Sequence, residues 1–81
     1  MDESELRQTV LDTLRHIAPE VATETLAGGE PLRDQVDLDS IDWLNFLVGL
    51  HERLRVDIPE ADYARLVTLD DLLAYLRAKI G

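Results

Sequence analysis

The chain has 81 residues and a formal net charge of −9, which argues against nucleic-acid partners because phosphate binding depends on clustered Lys and Arg. An apolar fraction of 46% is too high for a chain that stays disordered, so we expect a single domain over residues 1–81. The sequence contains no cysteine, which excludes disulfides, Cys-ligated metals and a thiolate nucleophile of its own.

Apolar residues at steps of three and four predict a first helix that Pro19 ends or closely follows. They are Leu6, Val10, Leu11, Leu14, Ile17 and Ala18. Residues 19–39 then predict a long connection without regular structure, which is typical of a functional loop or of a crossing between distant helix ends. It contains Gly28, Gly29 and Pro31, and its expected core anchors are Leu26, Leu32 and Val36.

A second helix should begin at or just after Ser40, since Asp39 or Ser40 can cap its free amides, and should continue to Leu54. At about 100° per residue, five large apolar side chains share one arc that must face the core. They are Trp43, Phe46, Leu47, Leu50 and Leu54, and the polar arc holds Asp42, Asn45, Gly49, Glu52 and Arg53. Ile41, Leu44 and Val48 border both arcs, so the helix either packs on two neighbours or offers an apolar margin to a partner.

Two further helical segments follow. Pro59 opens a short piece over residues 60–65, in which Tyr63 is the expected anchor. Thr68 and Asp71 form a capping box at the start of a last helix. The apolar face of that helix consists of Leu69, Leu72, Leu73, Leu76 and Ile80. We therefore predict an all-α four-helix bundle with three main helices, one short helix and a long first loop.

The pair Asp39-Ser40 has two interpretations. It is a common helix cap, and it is also a possible phosphate acceptor, because a phosphate on Ser40 would lie against unpaired amides at the positive helix end. A self-contained serine hydrolase is not supported, since His16 and His51 lie on helical patterns and no Gly-x-Ser-x-Gly motif is present. The nearby aspartates do not match a calcium loop, and ligands for zinc are lacking. Any chemistry at Ser40 would need a second enzyme.

The stretch Asp39-Ser40-Ile41-Asp42, preceded by Leu38, resembles the modification motif of acyl carrier proteins. The segments Val56–Glu60 and Thr68–Leu72 are also similar to corresponding stretches of that family, and the resemblance covers essentially the whole chain. It implies a carrier and not an enzyme. In such a carrier 4′-phosphopantetheine is attached to the serine, here Ser40, and its thiol holds acyl groups as thioesters. The arm would supply the thiol that the chain lacks.

The resemblance also assigns roles to neighbouring residues. Asp39 would help to place Mg²⁺ and coenzyme A in the complex with a phosphopantetheinyl transferase. The matching partner-docking positions are Ile41, Asp42, Leu44, Val48 and Glu52. The implied partners are that transferase, an acyl-loading ligase or acyltransferase, and a ketosynthase or another acyl-using enzyme of a fatty-acid, polyketide or related pathway. We expect a cytoplasmic monomer. We also expect no membrane span, since the longest uncharged apolar stretch covers only residues 43–50.

Some positions depart from the family pattern. Asn45, His51 and Arg53 stand where fatty-acid carriers commonly have an acidic stripe, and this predicts dedicated partners instead of general fatty-acid enzymes. Asp37 stands where many members have Gly, so we expect the turn before the serine to differ. Trp43 either simply fills the bundle or narrows the space in which some carriers shelter an acyl chain.

Two alternative functions remain open at this stage. The first is a stand-alone aminoacyl or peptidyl carrier, which shares the serine and the arm but usually has a glycine-rich approach that residues 36–38 lack. The second is a small acidic helical interaction module without a prosthetic group. In that module Ser40 would be only a cap, and Ile41, Leu44 and Val48 would bind a partner helix.

Overall fold

A computed structural model describes residues 1–80 and confirms the predicted all-α fold. Its helices are α1 (Glu3–Ile17), α2 (Leu32–Val36), α3 (Ser40–Leu54) and α4 (Leu69–Ile80), with 3₁₀ segments at Thr23–Thr25 and Glu60–Arg65. α1 packs against both α3 and α4. Pro31 and Thr68 form an isolated antiparallel bridge that ties the first loop to the start of α4. Across positions 1–80, every helix falls short of the length and apolarity that a bilayer crossing requires.

Local hydrogen bonds explain where the main helices begin. The Asp2 carboxylate accepts a hydrogen bond of 2.8 Å from the Glu5 amide at the start of α1. At α4 the Asp71 amide donates to the Thr68 hydroxyl at 2.9 Å, and the Thr68 amide donates to the Asp71 carboxylate at 3.2 Å. These reciprocal bonds confirm the predicted capping box and satisfy amides that lack an intrahelical acceptor.

The core is built from one face of each main helix. The predicted core arc of α3 is confirmed, since Trp43, Phe46, Leu47 and Leu50 are buried and Leu54 is half-buried. The ring of Phe46 is completely buried and meets the ring of Trp43 at a centroid distance of 5.4 Å. Such a core of interlocking large side chains fixes the direction of α3 and hence the position of its amino terminus.

The first loop is more ordered than its sequence suggests. The expectation of a connection without regular structure is wrong, because the loop contains a 3₁₀ turn at Thr23–Thr25 and the five-residue helix α2. Its predicted anchors Leu32 and Val36 are buried. The Gln35 side chain accepts from the Ala27 amide at 2.7 Å and donates to the Ala27 carbonyl at 2.9 Å. Tertiary contacts of this kind stabilise a helix that is too short to show a periodic pattern.

The predicted polar arc of α3 is wrong at Gly49. Gly49 is half-buried and faces α1, where a Cβ atom would lie 2.9 Å from Cγ2 of the buried Thr13. The helical projection placed it among polar residues because glycine has no side chain that marks a buried position. The absence of a Cβ lets α1 and α3 approach closely at this point.

The predicted short piece after Pro59 is present as the 3₁₀ segment Glu60–Arg65. Its expected anchor Tyr63 is half-buried against the core. The hydroxyl of Tyr75 on α4 donates a hydrogen bond of 2.6 Å to the Asp62 carboxylate. This bond holds the segment against α4.

Candidate functional site

Ser40 is the first residue of α3 and is exposed to solvent. The residue that caps the helix is Asp39, whose carboxylate accepts a hydrogen bond of 2.7 Å from the Asp42 amide. The hydrogen bonds among residues 1–80 include none from the Ser40 hydroxyl, so capping does not occupy that group. Asp39 therefore performs the structural role, while the Ser40 oxygen remains accessible to a second protein.

The surroundings of Ser40 have two opposing electrostatic features. The amides of Ser40 and Ile41 have no acceptor within the helix, and together with the helix dipole they favour a negative group at this end. The side chains of Asp37, Asp39 and Asp42 carry the opposite sign. Within the described part of the chain, no three side chains of the ligating types converge to hold a metal ion.

The turn that leads into α3 is set by Asp37 and Leu38. Asp37 ends α2 in the left-handed region, with φ 52° and ψ 46°. Glycine adopts this conformation without strain, and aspartate is one of the residues that tolerate it. The next side chain, Leu38, is buried and anchors the turn to the core. Ser40 is thus held between this anchor and the buried Trp43.

An apolar stripe runs along the exposed face of α3. Ile41, Leu44 and Val48 are 69%, 46% and 41% exposed, so these side chains form an apolar margin that the helix leaves open, and their use by a partner stays a prediction. Among the other expected docking residues, Glu52 is exposed and Asp42 is half-buried. We call Ile41, Leu44 and Val48 the α3 stripe. Three large apolar side chains in a row on a small protein are typical of a protein-binding surface.

Two open grooves flank the segment 60–65, and Tyr63 lines both. One groove has a volume of about 560 Å³ and lies beside Trp43, between α2 and the stretch that leads to α4. The second, of about 380 Å³, borders Val48 and the loop that follows α3. Val67 lines the first groove and is 45% exposed, which the sequence reasoning missed because its neighbours belong to a buried segment.

Trp43 belongs to the core as well as to the rim of the first groove. Only 8% of Trp43 is exposed, and its ring packs on Phe46. The prediction that Trp43 fills the bundle therefore agrees with the structure. The guanidinium of Arg33 lies 5.9 Å from the centroid of the Trp43 ring, within the range of a cation–π contact. An effect of Trp43 on the space for an acyl chain stays a prediction.

The residues that interrupt the expected acidic stripe have different environments. Asn45 and His51 are exposed. The Nδ1 atom of His51 lies 2.7 Å from the Val56 carbonyl oxygen, and because that oxygen is an acceptor, Nδ1 donates the hydrogen bond. Arg53 instead points toward α1, where its Nη2 atom lies 3.2 Å from the ring of His16. Arg53 therefore lies on a different side of α3 from the α3 stripe.

Comparison with known proteins agrees with this geometry. The sequence model described as the phosphopantetheine attachment site matches residues 4–76, which is most of the chain. The chain belongs to this family of carrier proteins. Carriers of this family hold a covalently attached 4′-phosphopantetheine group and are not themselves catalysts, which confirms the cofactor and the carrier class expected from the resemblance.

Named relatives support the same family. The carrier is 29% identical to acyl carrier protein 3 of Ralstonia nicotianae, over 90% of this chain and 87% of the relative. It is also 29% identical to an acyl carrier protein of Kineococcus radiotolerans, over 91% of this chain and 95% of the relative. A solution structure of a provisionally assigned acyl carrier protein from Anaplasma phagocytophilum superimposes with a TM-score of 0.87 at 25% identity. That alignment covers 100% of the carrier and 94% of the other chain.

Proposed function

We propose that Ser40 is the attachment point of 4′-phosphopantetheine and that the carrier delivers acyl groups, as thioesters, to a dedicated biosynthetic pathway. The observation that supports this most directly is the division of labour at the start of α3. Asp39 caps the helix, whereas the neighbouring serine hydroxyl is exposed and absent from the hydrogen bonds of residues 1–80. A serine that served only as a cap would use its oxygen for the helix amides.

The attachment step needs an external phosphopantetheinyl transferase and coenzyme A. The Ser40 oxygen would form the new bond to phosphorus and lose its proton, and adenosine 3′,5′-bisphosphate would leave. The attached phosphate would then lie near the unpaired amides of Ser40 and Ile41, which favour a negative group. When bound, the arm supplies a terminal thiol that forms thioesters with acyl groups. The carboxylate of Asp39 would assist the Mg²⁺ and coenzyme A of the transferase complex.

The α3 stripe is the proposed contact surface for the transferase and for enzymes that load or use acyl groups. Burial of its exposed apolar side chains would supply part of the binding free energy, at roughly 25 cal/mol per Å² of apolar area. Asp42 and Glu52 would contribute polar contacts at its edges. All five positions follow Ser40 along one helix, so a partner that holds α3 also controls where the arm points.

The partners are proposed to be dedicated to this carrier. Asn45 and His51 are exposed beside the α3 stripe and replace charges that a basic enzyme surface would recognise. Binding to a fatty-acid ketosynthase should therefore be weaker, and less sensitive to salt, than that of a strongly acidic carrier. Equal affinity and equal salt dependence of the two carriers would contradict this proposal.

Intact-mass spectrometry tests the attachment site. The apo protein is incubated with a broad-specificity phosphopantetheinyl transferase, coenzyme A and Mg²⁺, as the wild type, Ser40→Ala and Ser4→Ala. Ser4 is the other serine of the chain and is also exposed, so it provides a matched control. We expect one added phosphopantetheine on the wild type and Ser4→Ala, and none on Ser40→Ala. No addition with several transferases would favour the interaction module.

Loading experiments on the modified protein distinguish the two kinds of carrier. Acyl ligases and acyltransferases are compared with amino-acid-activating enzymes, and the product is followed as a mass increase that hydroxylamine removes. We expect loading by the first group. Efficient loading by amino-acid-activating enzymes alone would favour the aminoacyl or peptidyl carrier.

A further inference from the structure

A positively charged surface lies where the carboxyl-terminal ends of α1 and α3 meet. Arg15 and His16 occupy the last turn of α1, and Arg53 occupies the last turn of α3. Together with Asp12 and Pro19 they line a shallow, open depression of about 460 Å³. We call Arg15, His16 and Arg53 the basic patch. Its two guanidinium groups, offset in part by the Asp12 carboxylate, concentrate positive charge on a protein whose net charge is −9.

Helix stability explains the presence of these residues but not their convergence. Cations near the end of a helix interact favourably with its dipole, and this accounts for each helix separately. Two like charges from different helices repel when packing brings them together. The fold places them together although only one of the chain's 17 acidic side chains, Asp12, lines the depression.

Arg53 has an imidazole as its neighbour where a carboxylate would be the usual partner. The Nδ1 atom of His16 lies 2.9 Å from the Asp12 carbonyl and must donate to it. Nη2 of Arg53 lies 3.2 Å from both ring nitrogens, which places it over the face of the imidazole and not in line with either nitrogen. Among residues 1–80, the ion pairs involve Arg15, Arg65 and Arg77 but not Arg53. Its guanidinium therefore keeps donors for an external acceptor.

Arg15 lines the same depression as Arg53 and is held there by a hydrogen bond. Its Nη2 atom donates to the Thr23 hydroxyl at 2.7 Å, which ties it to the first loop. Its ion pair with Asp12 is long, at 3.8 Å, and both side chains of that pair are nearly half exposed. A long, solvated pair of this kind adds little stability and leaves the charge of Arg15 available to a second carboxylate.

The basic patch is separate from the α3 stripe. Arg53 follows Ser40 by thirteen residues, so the two lie about 20 Å apart along α3. Arg53 is also turned by about 140° from Val48 around the helix axis. An enzyme seated on the stripe would consequently leave the patch exposed on the α1 side of the molecule.

We propose that the basic patch is a second docking surface, which binds an acidic segment of a partner protein while the α3 stripe is engaged elsewhere. Guanidinium groups match the geometry of carboxylates, and a shallow, solvated depression suits side chains that project from a protein surface. A small free anion would be contacted on one side only. The surface does not involve Ser40, so it operates whether or not the serine is modified.

The test uses the ¹⁵N-labelled full chain and a hexaglutamate peptide at 0.15 M salt, where screening over about 8 Å limits repulsion from distant carboxylates. We expect saturable amide shifts centred on Arg15, His16 and Arg53, in the wild type and in Ser40→Ala alike. Arg53→Glu should weaken binding about tenfold, and Arg53→Gln by a smaller factor. Lys79→Glu changes the net charge equally at another exposed site and should bind as the wild type does.

Several outcomes would overturn this proposal. They are the absence of saturable shifts, shifts spread over all basic residues, and equal weakening by Arg53→Glu and Lys79→Glu. Tighter binding at the patch of inorganic phosphate, or of vesicles that contain phosphatidylglycerol, would also overturn it in favour of an anion or a membrane. The spectrum of Arg53→Gln reports whether the contact between α1 and α3 is retained. Failure of Ser40 modification leaves all of these readouts unchanged.

Discussion

Asp39 has one role that the structure shows and one that we propose, and a pair of substitutions separates them. Its carboxylate caps α3 through the Asp42 amide at 2.7 Å. Its negative charge is proposed to assist the transferase reaction at Ser40. Asp39→Asn keeps an acceptor oxygen of the same size but removes the charge, whereas Asp39→Ala removes both. The asparagine variant should therefore retain most of the stability and lose the proposed assistance.

The expected changes in stability follow from the geometry of the cap. Loss of an aspartate cap costs about 1 kcal/mol of unfolding free energy, so this applies to Asp39→Ala. Asparagine caps nearly as well as aspartate, and Asp39→Asn loses only the interaction with the helix dipole, about 0.3–1 kcal/mol. A domain of this length has on the order of 4–12 kcal/mol of stability, so both variants stay folded.

The chain offers a matched control at the start of α1. Asp2 caps that helix through the Glu5 amide at 2.8 Å, which is nearly the same geometry as the cap formed by Asp39. Asp2→Asn and Asp2→Ala should reproduce the two stability changes. They also alter the net charge equally, but they lie on a different helix from Ser40.

Two measurements on these four variants decide between the roles. Chemical denaturation gives the unfolding free energies, and intact mass against time gives the initial rate of phosphopantetheine transfer. We expect Asp39→Asn to be modified at least about tenfold more slowly than Asp2→Asn at similar stability. Transfer to Asp39→Asn at the wild-type rate would refute the assistance and leave Asp39 as a cap alone.

Three further predictions concern the bundle. Gly49→Ala gains helix propensity but brings Cβ to 2.9 Å from the Thr13 methyl, so it should destabilise the wild type by about 1 kcal/mol and stabilise a Thr13→Ser background. Equal changes in both backgrounds, measured by denaturation, would contradict this contact. Burial and the hydrogen bond to Asp62 raise the pKa of Tyr75 from 10.0 to about 12. The stabilisation is therefore present below pH 10 and lost as the pH rises through 12, and the stability difference from Tyr75→Phe should shrink over that range. Because Trp43 fills the core, loading a long acyl chain should leave the Trp43 fluorescence and the amide spectrum of the core residues unchanged. Large shifts of the core amides would show that the acyl chain enters the bundle.

Local chemistry, which the sequence carries by itself, determines much of this protein. Caps depend on side chains within three residues, so Thr68 and Asp71 mark the start of α4 directly. Helical periodicity depends on spacing alone, so Ile41, Leu44 and Val48 could be identified as the margin of the core arc. The phosphopantetheine family follows from short motifs for the same reason, since their residues lie close together in the chain.

The tertiary structure decided the features that join distant parts of the chain. Gly49 has no side chain to show which face is buried, and only its contact with Thr13 reveals the close approach of α1 and α3. Helix α2 depends on the hydrogen bonds of Gln35 across the first loop. Arg15 and Arg53 are 38 positions apart and form one patch only because two helix ends pack together. The basic patch therefore depends on packing between distant segments, which no local sequence pattern encodes.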